Sequence, residues 1–238
     1  MTTITSSRDG AVATVTIDNA AQGNLLTVED LRELATAIRA AGATDAKVIV
    51  LRTMGADFCR GRAPGATPPP TAMKMRSNVC EPILDVYDAI AGIHQPVVAR
   101  VQGAALGFGA AMAGACDLTV AADNARFQLP EMQRDLPPTL AISALMARVP
   151  RKALTHLVYS MEEVDAATAL QLGIVSQVVP LADLDTALAK LLGTMTARSP
   201  EALIAVKDFF RAAPYMDPRG CADYAGNLLA AVLSSAGK

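Results

Sequence analysis

Short runs of β-branched and aliphatic residues recur along this chain, and each gives way to a stretch with helical spacing. Val12-Ala-Thr-Val-Thr-Ile17 alternates and predicts a strand. Val48-Ile-Val-Leu51, within Lys47–Thr53, is a continuous apolar run suited to a strand buried on both faces. Pro96–Gln102, Asp117–Ala121 and Ile174–Val179 predict further strands, and Ala125–Leu129 is extended up to Pro130-Glu131. Between them, Thr27–Ala41 places Leu31, Leu34 and Ile38 on one helical face, with Thr27 as cap and Asp30 where a capping box puts its acid. Pro82–Gly92, an Ala-rich segment up to Ala115, Leu140–Arg148, Arg151–Ser160 and Asp165–Leu172 also read as helices, the last stopped by Gly173. Alternation of this kind argues for an α/β core. Beyond Pro180 the pattern is helical throughout, and Ser199-Pro200-Glu201 supplies a cap, a first-turn proline and an early acid. The tail from Leu181 is too small for an independent domain and should pack on the core or on a neighbouring subunit. Gly55–Gly65 reads as a loop, and Pro68-Pro69-Pro70 within 66–71 predicts a mobile flap, since it suits neither a helix nor a central strand.

Composition narrows the function classes. With 21 basic and 23 acidic residues the net charge is −2, which gives no electrostatic reason to bind nucleic acid or an anionic membrane. The chain is 52% hydrophobic, enough for a sizeable core, but it has no Trp, so aliphatic side chains and Met must fill that core. Cys59, Cys80, Cys116 and Cys221 are widely spaced and predict free thiols in a reducing compartment. Met1–Asp9 lacks the apolar stretch of a signal peptide, and the uncharged run Gly103–Cys116 is too short and too rich in Gly to span a membrane. A cytoplasmic protein is the expectation. His94 and His156 are the only histidines, and no HExxH or Cys/His cluster accompanies them, so no metal site is expected. Neither GxSxG nor GxxxxGK[ST] occurs. Gly107-Phe-Gly109 is a poor dinucleotide fingerprint, because Met112 stands where close helix–strand packing needs Gly or Ala.

Two glycine-bearing passages remain, Phe58-Cys-Arg-Gly-Arg-Ala63 and Gly103-Ala-Ala-Leu-Gly-Phe-Gly109. On the residues alone, such glycines most often serve tight turns and close packing. Unpaired amides from two such turns, if they converge, make an oxyanion hole. Glu131, at the end of an extended segment, is either a solvated acid or a desolvated general acid/base.

Taken in order, these passages resemble the enoyl-CoA hydratase/isomerase (crotonase) superfamily. The carriers are Phe58-Cys-x-Gly61, Pro96-Val-Val-Ala-x-Val-x-Gly-x-Ala-Leu-Gly-x-Gly109, Cys116-Asp-Leu-x-Val-Ala-Ala122, Phe127-x-x-Pro-Glu131, Ala169-Leu-Gln-Leu-Gly-Ile-Val175, Val178-Val-Pro180, and Ser199-Pro-Glu-Ala202 leading to Lys207. The resemblance implies a spiral α/β core of repeated β-β-α units over 1–180, and a helical region over 181–238 that packs on the core and on a neighbouring subunit in a trimer or pair of trimers. It implies an acyl-CoA thioester substrate and no separate cofactor, coenzyme A being part of the substrate.

By the same resemblance, the backbone amides of Arg62 and Phe108 bind the thioester oxygen and Glu131 moves the proton. Leu25, Arg60, Gly61, Ala63, Gly107, Pro130 and Lys207 match positions that line substrate or coenzyme. Hydratases of the family carry a second glutamate; its position here is Ala111, and a further acidic position used by some relatives is Thr139. Asp135, where relatives have Gly, is either a replacement carboxylate or a surface residue. Gln22-Gly-Asn-Leu-Leu26 lacks the basic residue that meets the coenzyme's phosphates, so Arg60 or Arg62 is the candidate substitute. Met73 and Met75 match the variable region that shapes the acyl pocket. A single carboxylate favours an isomerase-like proton shuttle over hydration. Another enolate reaction of a CoA thioester (decarboxylation, C–C hydrolysis or retro-aldol cleavage), or a catalytically degenerate acyl-CoA-binding subunit, are the alternatives.

Overall fold

The computed structural model describes residues 1–65 and 71–235; the proline run 68–70, and the flap expected there, lie outside the described residues. The strands are β1 (Thr3–Asp9), β2 (Val12–Asp18), β3 (Val48–Thr53), β4 (Val97–Val101), β5 (Ala104–Leu106), β6 (Leu118–Ala122), β7 (Arg126–Gln128), β8 (Val164–Asp165) and β9 (Gln177–Val179). The α-helices are α1 (Val28–Gly42), α2 (Ala72–Met75), α3 (Glu81–Gly92), α4 (Phe108–Ala115), α5 (Thr139–Leu145), α6 (Arg151–Ser160), α7 (Ala166–Gln171), α8 (Leu184–Thr196), α9 (Pro200–Ala212) and α10 (Pro218–Ser235).

Six strands form one sheet in the order β1-β2-β3-β4-β6-β9, parallel except for the β1–β2 hairpin. A second sheet, β5-β7-β8, lies beside it. The α/β core expected from the alternation is therefore present. Strand β1 was not evident in the sequence: six of its seven residues are polar or charged and all but one are exposed, so an apolar period of two is missing. It forms because it borders β2 as an edge strand, where polar side chains are tolerated.

The central strands bury both faces, as their unbroken apolar runs require. One face, including Ile49, Leu51, Val97 and Ala99, packs under α1 and α3 in the main core. The opposite face, with Val48, Val50, Val98 and Val120, is closed by Leu184 and Leu188 of α8. Thr27 caps α1 through the expected capping box with Asp30. Every residue of α4 is buried, which explains why its sequence is apolar all round.

In the tail, α8 packs on the sheet, and α9 is anchored by one buried charge. The Lys207 ammonium meets Asp117 Oδ2 at 2.9 Å and donates to the carbonyls of Ile90 (2.7 Å) and Gln95 (2.9 Å). Its three protons are all used, and the side chain is 3% exposed. The expectation that Lys207 contacts coenzyme A is therefore corrected: in this chain it fastens α9 to the core. Burial pulls its pKa down against the pull of Asp117. Lys207→Met should lower unfolding stability by about 3 kcal/mol, because two carbonyls and one carboxylate lose a buried donor. Urea denaturation measures it; an unchanged midpoint contradicts this anchoring role.

Candidate active site

Three loops are stitched together at the carboxyl ends of the central strands. Asn24, buried with φ +56°, accepts from the Asn19 N–H and donates to the carbonyls of Met54 (2.9 Å) and Asp57 (2.8 Å). Asp57 Oδ1 accepts from the Ala104 N–H at 2.9 Å. The Arg60 N–H reaches Gly23 O at 2.9 Å. One short polar side chain and one acid thus tie 19–26 and 103–106 to the loop that follows β3.

The pairing of those loops leaves two amides free. In the parallel bridge between Leu26 and Arg62, the Leu26 N–H donates to Gly61 O and the Ala63 N–H donates to Leu26 O. The Arg62 N–H then faces the other side, and it has no hydrogen-bond partner among the described residues. Phe108 opens α4, so its N–H has no partner within the helix either. The two loops touch through a second bridge, Cys59 with Ala105. Contact is close enough that a Cβ on Gly109 would sit 2.1 Å from Cys59 O, and one on Gly61 would lie 3.4 Å from Leu106 O. Gly107, at φ +52°, turns the chain from β5 into α4. These glycines serve close packing and a left-handed turn, as the residues alone suggested, and the same packing brings the loops of the free amides together.

Glu131 follows Pro130 and starts a single 3-10 turn ending at Arg134. A Cβ on Gly107 would be 2.7 Å from Glu131 Oε1, so this carboxyl lies against the start of α4, one residue before the Phe108 amide. Its other oxygen, Oε2, is buried and has no hydrogen-bond partner among the described residues. Burial raises the Glu131 pKa, while Arg134 pulls the other way. An ionised carboxylate with a buried, unpaired oxygen is a strong base.

Tyr87, on α3 within the segment whose spacing predicts only a helix, is a further neighbour. Its ring stacks on Phe108 with centroids 5.7 Å apart. It is almost fully buried, and burial together with the nearby Glu131 charge raises its pKa far above the ordinary phenol. It stays neutral and walls the site. The only available signal was a hydroxyl on an otherwise apolar stripe.

The other expected residues fall as follows. Arg60 is exposed and leans on Asp57 at 3.6 Å. Arg62 is half-buried, and burial lowers its pKa, helped by the nearby Arg134. Leu25 is half-buried beside the Leu26–Arg62 bridge, and Ala63 is held by that bridge. Asp135 is exposed at φ +53°, the left-handed cap of the Glu131 turn, which accounts for glycine being suited to that position. It is a surface residue. Ala111 is fully buried in α4, and Thr139 is exposed. Met73 and Met75 are exposed on α2, which runs into a π-helical turn, Arg76–Cys80. All four cysteines are free. Burial pushes the Cys59 thiol up to about 12, so it is no nucleophile at neutral pH.

A largely parallel sheet, two free amides on touching loops and a half-buried carboxyl make up the candidate site, and comparison with known proteins identifies the fold. The solved structure of an enoyl-CoA hydratase from Mycobacterium smegmatis superposes with a TM-score of 0.91 at 27% identity, over 97% of this chain and 90% of that one. The fold is that of the crotonase superfamily. A family model for enoyl-CoA hydratase/isomerase matches residues 7–223, so the chain belongs to that family, whose members act on acyl-CoA thioesters. It is similar to 2,3-dehydroadipyl-CoA hydratase of Escherichia coli (strain K12), 33% identical over 89% of this chain and 82% of the relative. It is also similar to (7aS)-7a-methyl-1,5-dioxo-2,3,5,6,7,7a-hexahydro-1H-indene-carboxyl-CoA hydrolase of Mycobacterium tuberculosis, 30% identical over 74% of this chain and 71% of the relative.

Proposed function

We propose that this enzyme moves a proton between carbons of an acyl-CoA thioester, with Glu131 as its single acid/base. The supporting observation is the pairing of Glu131 with Ala111: one half-buried carboxyl beside the Phe108 turn, and a methyl group where family hydratases place their second glutamate. In the reaction, Glu131 takes the α-proton of a 3-enoyl thioester. The C–H electron pair moves toward the thioester carbonyl, and the oxygen takes up negative charge between the Arg62 and Phe108 amides. Each preorganised donor in such a hole contributes about 3 kcal/mol to the transition state. Glu131, its proton exchanging with solvent between the two steps, then delivers a proton to the γ-carbon, and the double bond ends at the 2,3-position. No water is added. Tyr87 and Phe108 keep the carboxyl's surroundings apolar, which holds its pKa up and makes it an effective base once ionised.

Arg62 is the better of the two candidates for the coenzyme's phosphates, since Arg60 already leans on Asp57. The hydrolase among the relatives keeps a second reading in view, in which the same enolate hole serves C–C cleavage. A panel of acyl-CoA thioesters read by mass spectrometry separates them. The proton shuttle predicts a shifted double bond at unchanged mass. A gain of one water without cleavage indicates hydration, a split acyl chain indicates hydrolysis, and tight binding without turnover indicates a degenerate subunit. Any of these three outcomes overturns the shuttle.

The tail carries exposed apolar side chains, Val206, Phe210, Leu229 and Leu233 being 57–72% exposed. A homotrimer, alone or paired, covers them best and agrees with the family resemblance. Sedimentation equilibrium should return a multiple of three chains; a 24.7 kDa species contradicts it.

A further inference from the structure

A cavity opens on the α8 face of the sheet, apart from Glu131. It holds about 250 Å³ and lies where β3, β4 and β6 end. Arg52, Arg100, Gln102 and Asn124 supply its polar wall, and Met54 and Leu181 are among its apolar residues. We infer that this cavity binds a small oxyanion, a phosphate or carboxylate group, between the guanidinium groups of Arg52 and Arg100.

The argument begins with strand register. β3 and β4 are parallel with Leu51 opposite Ala99, so the next residues, Arg52 and Arg100, share one row and one face. Like charges side by side on a sheet destabilise it unless something compensates. Arg100 has compensation. Its Nε meets Asp185 Oδ1 at 2.6 Å, and an Nη donates to Gln102 Oε1, also at 2.6 Å. The Arg100 side chain is 10% exposed while that of Asp185 is 73% exposed, so the pair meets solvent through the carboxylate. Both guanidinium groups hold the Asp185 carboxyl below its usual range, Arg100 chiefly through its hydrogen bond.

Arg52 has no such partner. Its Nε is buried and makes no hydrogen bond among the described residues. Arg52 and Arg100 are the charged residues of the cavity lining, and Asp185 bonds directly to Arg100. Asn124 uses its Oδ1 on the Gly103 N–H, which leaves its amide NH₂ to donate. An oxyanion in the cavity would supply the acceptors that Arg52 Nε lacks. The apolar wall and the volume leave room for a small organic group attached to it.

Nothing in the proposed acyl chemistry uses this cavity, so the inference stands independently of it. Its test is calorimetry and thermal unfolding of the intact protein with inorganic phosphate, at ionic strength held constant with chloride. The expected result is saturable binding and a Tm rise of about 3 °C at tenfold excess over Kd. Arg52→Met should weaken phosphate binding at least tenfold, and Arg52→Lys should restore part of it, with kcat at saturating substrate unchanged in both. Acetate and free coenzyme A are the further arms. Competition by coenzyme A identifies the oxyanion as the substrate's own phosphate; competition by acetate alone identifies a carboxylate. Phosphate acting no differently from chloride, or Arg52→Met binding it like the wild type, overturns the site.

Discussion

Replacing Glu131 with glutamine is expected to cut turnover roughly 10²–10⁴-fold while making the protein more stable at neutral pH. The activity loss follows from removing the carboxyl placed against the turn that carries the Phe108 amide. The stability gain follows from the sign of the pKa shift. Burial raises the Glu131 pKa in the folded state. A raised carboxyl favours folding below its unfolded pKa, and that contribution disappears as pH rises through the folded value. At pH 7 the ionised, partly buried group opposes folding, and glutamine, being neutral, does not. The Tm difference between variant and wild type should therefore be positive near pH 7 and shrink toward pH 4. The wild-type kcat/KM should fall on the acid side with an apparent pKa above the ordinary glutamate range. Equal turnover, or a variant less stable at pH 7, contradicts the role given to this residue.

Gly109→Ala has the second large effect, and its direction opposes helix propensity. Gly109 is the second residue of α4, where alanine would ordinarily stabilise by about 1 kcal/mol. Here the new Cβ would lie 2.1 Å from Cys59 O and 2.9 Å from Cys59 C, which are backbone atoms of the neighbouring loop. Cys59 O already accepts from the Leu106 N–H at 2.9 Å, so moving it breaks the bridge that holds the two amide-bearing loops together. We expect a loss of roughly 2–4 kcal/mol in stability and of roughly 10²–10³ in kcat, as for removal of one oxyanion donor. Gly193→Ala in α8 is the control. Nothing lies within 4 Å of its Cβ position, so it should gain stability and keep activity. If Gly109→Ala behaves like Gly193→Ala, the two loops are not packed as described.

Much of the fold was legible because its signals are local. The capping box of Thr27 and Asp30, the apolar run of Val48–Leu51 and the stop at Gly173 each act within a few residues. What escaped depends on distant partners. β1 is a strand only because β2 borders it. β5, three residues long, hid inside a glycine-rich turn and pairs with β7 twenty-two residues on. Lys207 matched a coenzyme-contacting position by its place in the tail, but Asp117, ninety residues earlier, takes its charge. The same distinction holds at the site. Glu131 and the Arg62 and Phe108 amides could be listed from motif order alone. That Gly107 lies against Glu131, that Gly109 presses on Cys59, and that Tyr87 stacks on Phe108 are consequences of packing, which no single segment encodes.

The most direct measurement is hydrogen exchange on the substrate itself. Wild-type enzyme and Glu131→Gln are incubated with a 3-enoyl-CoA in ²H₂O, and deuterium at the α- and γ-carbons is followed by NMR. The account predicts rapid incorporation with the wild type and incorporation at the uncatalysed rate with the variant. Deuterium entering the substrate equally fast with both proteins would mean that some other group moves the proton.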